Sequence, residues 1–321
     1  MLALDLGVLN RSAHVVSIRE ALLFTSVLAF LALVFAGFVY YAYDTQLAGL
    51  GSHIDAVDGQ LNTGRSAAIK FVTGYIIEVS LSADNVFVIA LIFTNLKIPP
   101  QFQHRVLFWG ILGALIMRGT MILIGAALIA RYHWILYLFG AFLVITAIRM
   151  LMAKGESLSH PEDSMVMRQV RRFFPVTQEY HGTRFVVRDG GRLMLTPLAV
   201  ALVLVETTDL IFAVDSIPAI FAITTDPFIV FTSNVFAILG LRSLYFALAG
   251  AIDKFRYLTV SLAAILGLVG VKMLVADLLK DWMGPSFNFW LLGIVALILV
   301  LGVVTSIVAT KREEQSKRPA A

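Results

Sequence analysis

Apolar residues run along this chain in long unbroken stretches. They do not show the short alternation of a half-buried strand or the one-sided stripe of a surface helix. Two stretches, Ala21–Tyr43 and Phe287–Ala309, contain no charged residue. Six more lie between them: Ala67–Asn95, Val106–Ala130, His133–Ala153, Met194–Ala222, Phe228–Ala251 and Leu258–Leu279, each with an ionisable residue inside it. A bilayer core takes about 20 apolar helical residues, so the pattern predicts eight membrane-spanning helices. The first stretch is too long for the core of a cleavable signal, and Asp44 follows it without a small-residue cleavage site. The expected organisation is a terminal remnant, the first helix and an outward loop over residues 1–66, three helices over 67–153, a polar basic loop over 154–193, three helices over 194–280, and a last helix with a basic tail over 281–321.

Composition agrees with that pattern. Hydrophobic residues make up 59% of the 321 positions and charged residues 14%, against roughly 25% charged in a soluble domain. A soluble fold has too little polar surface to draw on here, and a disordered chain would not be this apolar. The chain has no cysteine, which removes disulfides, iron–sulfur clusters, thiolate zinc sites and cysteine nucleophiles. Its six histidines lie mostly in connecting segments, so a metal site inside the membrane must be built from oxygen. A net charge of +4 reflects bases at helix ends and points to the lipid bilayer, not nucleic acid, as the surrounding partner.

Placement of those bases sets an orientation. Seventeen of the 25 lysines and arginines fall on the side of the long loop, among them Arg168, Arg171, Arg172, Arg184 and Arg188, and four fall on the other side: Arg65, Lys70, Arg131 and Lys280. The long loop and the carboxyl-terminal tail are therefore expected in the cytoplasm, and the segment holding Asp44, Asp55 and Asp58 outside. Within the long loop, residues 167–174 read as a short amphipathic stretch, and Asp189-Gly190 between two apolar runs reads as a hairpin turn in water.

The six charged segments divide into two copies of three. Asp84-Asn-Val-Phe corresponds to Asp209-Leu-Ile-Phe, Arg118 to Arg242, and Ala141–Leu151 to Ala264–Leu274, which places Arg149 opposite Lys272. Asp84 precedes Arg118 by 34 residues and Asp209 precedes Arg242 by 33. An odd number of spans reverses the starting face of the second copy, so the repeats are inverted, as in many secondary transporters with a binding site at the repeat interface. The fold class is an all-α polytopic membrane protein of about eight helices on a three-plus-three inverted repeat.

The acids give that interface its chemistry. Glu78 and Asp84 sit near the middle of one span, and Glu206, Asp209 and Asp215 near the middle of its counterpart. An ionised carboxylate at such depth costs roughly 2.5–3.5 kcal/mol on insertion scales. Oxygen ligands facing inward suit a hard or borderline divalent cation such as Mn²⁺, Mg²⁺ or Ca²⁺. The candidate metal-binding residues are Glu78, Asp84, Asn85, Glu206, Asp209 and Asp215. Arg118 and Arg242 are read as charge-compensating groups that stand in for the cation or neutralise a spare carboxylate. Arg149 and Lys272, nearer the span ends, are expected to snorkel. A separation of six residues does not keep two acids on one helical face, so either the helices break here, aided by Pro218, or each acid has its own partner. The rival reading takes all these charges as structural ion pairs.

Glu78-Val-Ser-Leu-Ser-Ala-Asp-Asn-Val-Phe87, Val205-Glu-Thr-Thr-Asp-Leu-Ile-Phe-Ala-Val-Asp-Ser-Ile-Pro-Ala219 and the stretch Thr224–Arg242 resemble the signature segments of the TerC family, in particular its Alx-like branch. The resemblance spans nearly the whole chain. It implies a bacterial inner-membrane protein associated with manganese efflux and, by family name, with tellurium resistance, and the five acids fall on the family's intramembrane acidic positions. Family members usually carry a complete helix before a segment resembling Leu4–Asn10, of which a short remnant stands here.

The expected function is export of a divalent metal ion, Mn²⁺ foremost, with protons as a candidate counter-ion. Mn²⁺ would be substrate, and no permanently bound cofactor and no enzymatic activity are expected. The alternative is a membrane stress-resistance or assembly factor that delivers metal to exported proteins through the loop 154–193. An intramembrane hydrolase is a weaker rival, because four intramembrane bases fit charge compensation better than a nucleophile–base pair.

Overall fold

The computed structural model describes residues 18–152, 172, 174–177, 179–189, 192–248, 258–275 and 287–316. Eight long helices lie on the eight apolar stretches: α1 (Ile18–Asp44), α2 (Gly64–Asn95), α3 (Pro100–Arg131), α4 (Ile135–Met152), α5 (Pro197–Phe221), α6 (Pro227–Leu248), α7 (Leu258–Leu274) and α8 (Phe287–Ser316). Six are long and apolar enough to cross a bilayer, and α6 and α7 are shorter apolar helices over their described residues. The segment Leu4–Asn10 and most of 167–174 lie outside the described residues.

Local chemistry sets the helix starts. Thr63 and Thr196 cap α2 and α5 by accepting from the backbone N–H of Ser66 and Ala199. Proline opens α3 and α5 at a position where its missing N–H costs nothing. Because Pro100 opens it, α3 begins six residues before the apolar stretch does. At 32 residues it is about 48 Å long, against a hydrocarbon core of about 30 Å. Its polar first turns therefore stand clear of lipid.

The packing between the two sets of three helices has the symmetry of an inverted repeat. Helix α2 packs on α5 and α6, α3 on α5 and α6, and α4 on α7. Exchanging α2 with α5, α3 with α6 and α4 with α7 maps this set of pairs onto itself. Directions obey the same exchange. Along α2 and α5 the contacts run in opposite senses, since Gly74 meets Ile220 while Asn85 meets Asp209. Along α3 and α6 they also oppose, with Arg118 at Asn234 and Gly119 at Phe231. Helices α4 and α7 cross where Gly140 faces Gly270 and Ala147 faces Gly267. By contrast α3 runs parallel to α5, meeting Val205 at Gly110 and Phe221 at Gly125. Helix α1 lies against α2 and α6, and α8 against α7 and α2.

Polarity is inverted relative to a soluble protein. Phe30 and Leu33 on α1, Ile116 and Leu123 on α3, and Leu297 and Val300 on α8 are exposed, while Lys70, Glu78, Arg118, Asp209 and Lys272 are buried. Apolar surface of this extent belongs in lipid. Lys272 does not snorkel as expected. It donates from Nζ to the carbonyl of Ala222 at 2.6 Å, the C-cap of α5, where unpaired carbonyls attract a cation. Arg149 is exposed.

The two ends of the bundle are fastened differently. At one end the loop after α1 folds back over α2. Asp55 accepts from Lys70 Nζ at 2.8 Å and from the Thr225 backbone N–H at 3.0 Å, and Thr224 Oγ1 also donates to it. Lys70 also pairs with Asp58 at 2.7 Å and donates to Asn62 at 2.6 Å. Asp55 thus lies buried at this end, and it ties the start of the first repeat to the α5–α6 turn of the second. At the other end, strands β1 (Val186–Asp189) and β2 (Arg192–Leu195) pair antiparallel, with Asp189 opposite Arg192. The expected hairpin is present, and its two turn residues lie outside the described residues. The Tyr180 hydroxyl donates to the carbonyl of Leu96 at 2.7 Å and so docks this loop on the α2–α3 turn.

Candidate intramembrane ion site

Arg118 sits in the middle of α3 and at the centre of the site. Its guanidinium grips Asp209 with two hydrogen bonds, Nε to Oδ2 at 3.2 Å and Nη2 to Oδ1 at 2.9 Å. Nη1 donates to Ser216 Oγ at 3.2 Å and to Asn234 Oδ1 at 3.1 Å, and it also pairs with the Glu78 carboxylate. The planar fork of arginine suits a two-oxygen grip on a carboxylate. Glu78 belongs to the first repeat and Asp209 and Asn234 to the second, so a single base from the first repeat joins polar groups of both.

The helices that carry these groups are unbroken. Helix α2 runs continuously past Glu78, and α5 runs continuously through Pro218. A break that opens the backbone for coordination, one of the two expectations from the spacing, is not what the structure shows. Pro218 lies in the last turn of α5, where the missing donor and the freed carbonyl of Val214 do not end the helix early. Unbroken helices turn acids six residues apart to different neighbours, so Asp209 meets Arg118 while Asp215 accepts from Thr146 Oγ1 at 3.3 Å.

Asn85 donates from Nδ2 to Asp209 Oδ1 at 3.4 Å, and its Oδ1 is buried with no hydrogen-bond partner among the described residues. Two small cavities flank the Arg118–Asp209 pair, and Asn85 lines both. One, about 20 Å³, is bounded by Gly110, Ala114, Thr208 and Asp209. The other, about 40 Å³, is bounded by Glu78, Arg118, Asp215 and Ser216. A single water needs roughly 10–15 Å³, so the smaller has room for one water or dehydrated ion and the larger for about three waters. Glu206 lies apart, with its carboxylate against the backbone of Gly113 in α3. It has no hydrogen bond or ion pair among the described residues.

The structure therefore gathers Glu78, Asn85, Asp209 and Arg118, places Asp215 across a cavity from them, and leaves Glu206 on a neighbouring face. The side chains of Asp84 and Arg242 lie outside the described residues. Among the described residues, no three acidic or histidine side chains converge as a ready metal cage, because a guanidinium lies between Glu78 and Asp209. Charge on this centre is −1 when one arginine faces two ionised carboxylates. Ser216, Asn234 and Thr146 escaped the sequence reading. They are neutral residues in apolar helices, and the one available signal was that Ser216 adjoins an intramembrane acid.

Known proteins place the chain in a family. Residues 63–314 match the family described as the integral membrane protein TerC family. An uncharacterized membrane protein of Myxococcus xanthus is 46% identical over 316 residues, covering 98% of this chain and 91% of its own. A protein of Escherichia coli K12 provisionally named membrane-bound redox modulator Alx is 42% identical over 319 residues, covering 99% of this chain and 94% of its own. An uncharacterized membrane protein of Rickettsia felis is 37% identical over 308 residues, covering 96% and 94%. No solved structure matches the chain. With an apolar helical bundle, buried intramembrane charge and a family match over most of its length, this chain is a multi-pass integral membrane protein of the TerC family.

Proposed function

We propose that the protein carries a divalent metal ion, Mn²⁺ foremost, out of the cell across the bacterial inner membrane, with the long loop and the carboxyl-terminal tail in the cytoplasm. One observation carries the reading: carboxylates of two inverted repeats, Glu78 and Asp209, meet at mid-bundle on a single arginine, between two small cavities. Midplane ionisable residues mark ion pathways by default, and repeat interfaces are where secondary transporters bind. The donors are all oxygen, which suits Mn²⁺, Mg²⁺ or Ca²⁺ over softer ions. Preference for Mn²⁺ and the outward direction follow the efflux that the family resemblance implies. Metal flux in proteoliposomes, measured with a panel of divalent ions, tests the reading. Asp209→Asn at equal reconstitution is expected to reduce Mn²⁺ flux by at least about tenfold, on the scale of losing a buried charged partner. Wild-type flux in that variant would rule the carboxylate site out.

The name carried by several relatives, redox modulator, favours a second reading. Thiol–disulfide chemistry on this chain is closed, since it has no cysteine. A role in stress resistance or in metal delivery to exported proteins would act through the loop 154–193, which Tyr180 docks on the α2–α3 turn. Removing that loop separates the two. Loss of the cellular phenotype with metal flux intact selects the second reading.

A further inference from the structure

In an empty site of this kind, two buried carboxylates repel each other and need positive charge between them before the protein can change shape around them. We propose that Arg118 is the built-in counter-cation of the carrier: it sits between Glu78 and Asp209 when no metal is bound, and moves to Asp215 when metal takes its place. The inference rests on the transport reading above and adds how the empty carrier returns.

The charges lead to this assignment. A divalent cation neutralises Glu78 and Asp209 together, which takes from the guanidinium of Arg118 the two anions it holds at mid-membrane depth. That is costly unless another carboxylate receives it. Asp215 is placed to do so. It lines the same cavity of about 40 Å³ as Arg118 and Glu78. Arg118 Nη1 already donates to Ser216, the residue after it, at 3.2 Å. The hydrogen bond that Asp215 holds, from Thr146, is long at 3.3 Å. A short swing of the guanidinium toward Ser216 exchanges one carboxylate for another without leaving the cavity.

Asn85 supplies an independent observation. Its buried Oδ1 has no hydrogen-bond partner among the described residues, while its amide lines the cavities on both sides of the Arg118–Asp209 pair. An acceptor that the arginine leaves unused, beside the carboxylate the arginine grips, is a ligand for an incoming cation. A buried acceptor without a partner costs about 1–3 kcal/mol, and a metal beside Asp209 would satisfy it.

The arrangement has a kinetic signature. With arginine as internal cation, the charge on Glu78 and Asp209 falls from −2 to −1, so the empty carrier reorients without a second metal ion and net efflux into metal-free buffer proceeds. Without it, the empty carrier holds two uncompensated carboxylates and stays where metal left it, and only metal-for-metal exchange remains. The test uses the full chain in proteoliposomes loaded with ⁵⁴Mn²⁺ at mildly alkaline pH. Net efflux into metal-free buffer is measured beside exchange against external Mn²⁺, with folding of each variant checked by thermal unfolding and gel filtration. Wild type is expected to do both. Arg118→Gln is expected to lose net efflux while exchange survives, and Arg118→Lys, which keeps the charge but not the fork, to retain net efflux. Asp215→Asn is expected to raise the Mn²⁺ concentration for half-maximal exchange by about tenfold, within the usual range of site–site coupling. That effect should vanish in the Arg118→Gln background, whereas a direct ligand role for Asp215 would leave it in place.

If wild type moves no divalent metal in either mode, the transport reading fails and the inference falls with it. If wild type works, loss or retention of both modes in Arg118→Gln overturns the inference alone. Should Arg118→Gln not fold, Arg118→Lys decides the matter, since loss of net efflux in that variant means that the fork geometry mattered and not the charge. An unchanged half-saturation in Asp215→Asn also overturns it.

Discussion

At the scale of single residues, two groups outside the Arg118 centre show how local geometry makes separate demands on stability and function. The first is Glu206. A Cβ added at Gly113 would overlap its carboxylate, but the overlapping atoms are the free end of a flexible side chain. Gly113→Ala is therefore expected to cost less than about 1 kcal/mol in thermal stability while pushing Glu206 from its place and lowering metal flux. Paired melting and flux measurements check this, and a variant with full flux would take Glu206 out of the pathway. The second is Asp55. Burial pushes its carboxyl up, but the Lys70 charge and the hydrogen bonds from Lys70, Thr224 and Thr225 outweigh burial and hold it at about 2, below its ordinary 3.8. A depressed carboxylate contributes stability that is complete above the unfolded value and is lost as pH falls through the folded one. The stability gap between wild type and Asp55→Asn is thus expected to stay flat from neutrality down to about pH 4 and to close toward pH 2. Melting curves against pH would show it, and a gap that shrinks already between pH 7 and 5 would contradict the assignment. The sequence made the acids of α2 and α5 legible because charge at the centre of an apolar stretch has no cheap explanation. It did not reveal that Asp55 and Lys70 pair in a buried site, since a loop that folds back on its helix leaves no periodic trace. Ser216 and Asn234 stayed hidden because a hydroxyl or amide in a membrane helix is commonly satisfied by its own backbone.

At the scale of elements, helix existence was legible and helix packing was only partly so. All eight helices lie on apolar stretches, because in lipid each backbone polar group must be satisfied within its own segment. The first turns of α3 lie outside that rule. They are polar, and Pro100 makes them helical by capping chemistry instead of hydropathy. The crossing of α4 and α7 was not legible, although the two backbones approach each other closely there. It depends on Gly140 and Gly270 lying across from each other, and a lone glycine in an apolar helix has several possible uses. A Cβ at Gly270 would lie 2.9 Å from the carbonyl oxygen of Gly140 and 3.0 Å from side-chain atoms of both Leu143 and Val144. Backbone cannot step aside as the end of Glu206 can. Gly270→Leu is accordingly expected to destabilise the protein by about 1–3 kcal/mol or more, read as a lower melting temperature in detergent. Gly240, which has no atom of the described residues within 4 Å of an added Cβ, should accept alanine there with little loss. Equal melting temperatures for Gly270→Leu and wild type would mean that the two helices do not cross at this point.

At the scale of the whole molecule, the two halves are held together at two depths. Arg118 joins them at mid-bundle, and Asp55 joins them at the end opposite the long loop by holding Lys70 of α2 and Thr224 and Thr225 of the α5–α6 turn. If one repeat rocks against the other, as inverted-repeat carriers do, that clasp must part in each cycle. If it is a static brace, it never does. The protein offers a clean way to tell, because it has no cysteine of its own. The backbone N–H of Ala56 donates to Thr225 Oγ1 at 3.0 Å, which brings the two backbones close enough to attempt a disulfide, whose Cα atoms must lie within about 7 Å. In the double variant Ala56→Cys and Thr225→Cys, oxidation is expected to stop metal flux, and reduction of the same liposomes to restore it. Each single variant should be indifferent to oxidant. Full flux through a demonstrably cross-linked protein would show that the clasp stays shut during transport. The moving boundary would then lie inside one repeat instead of between the two.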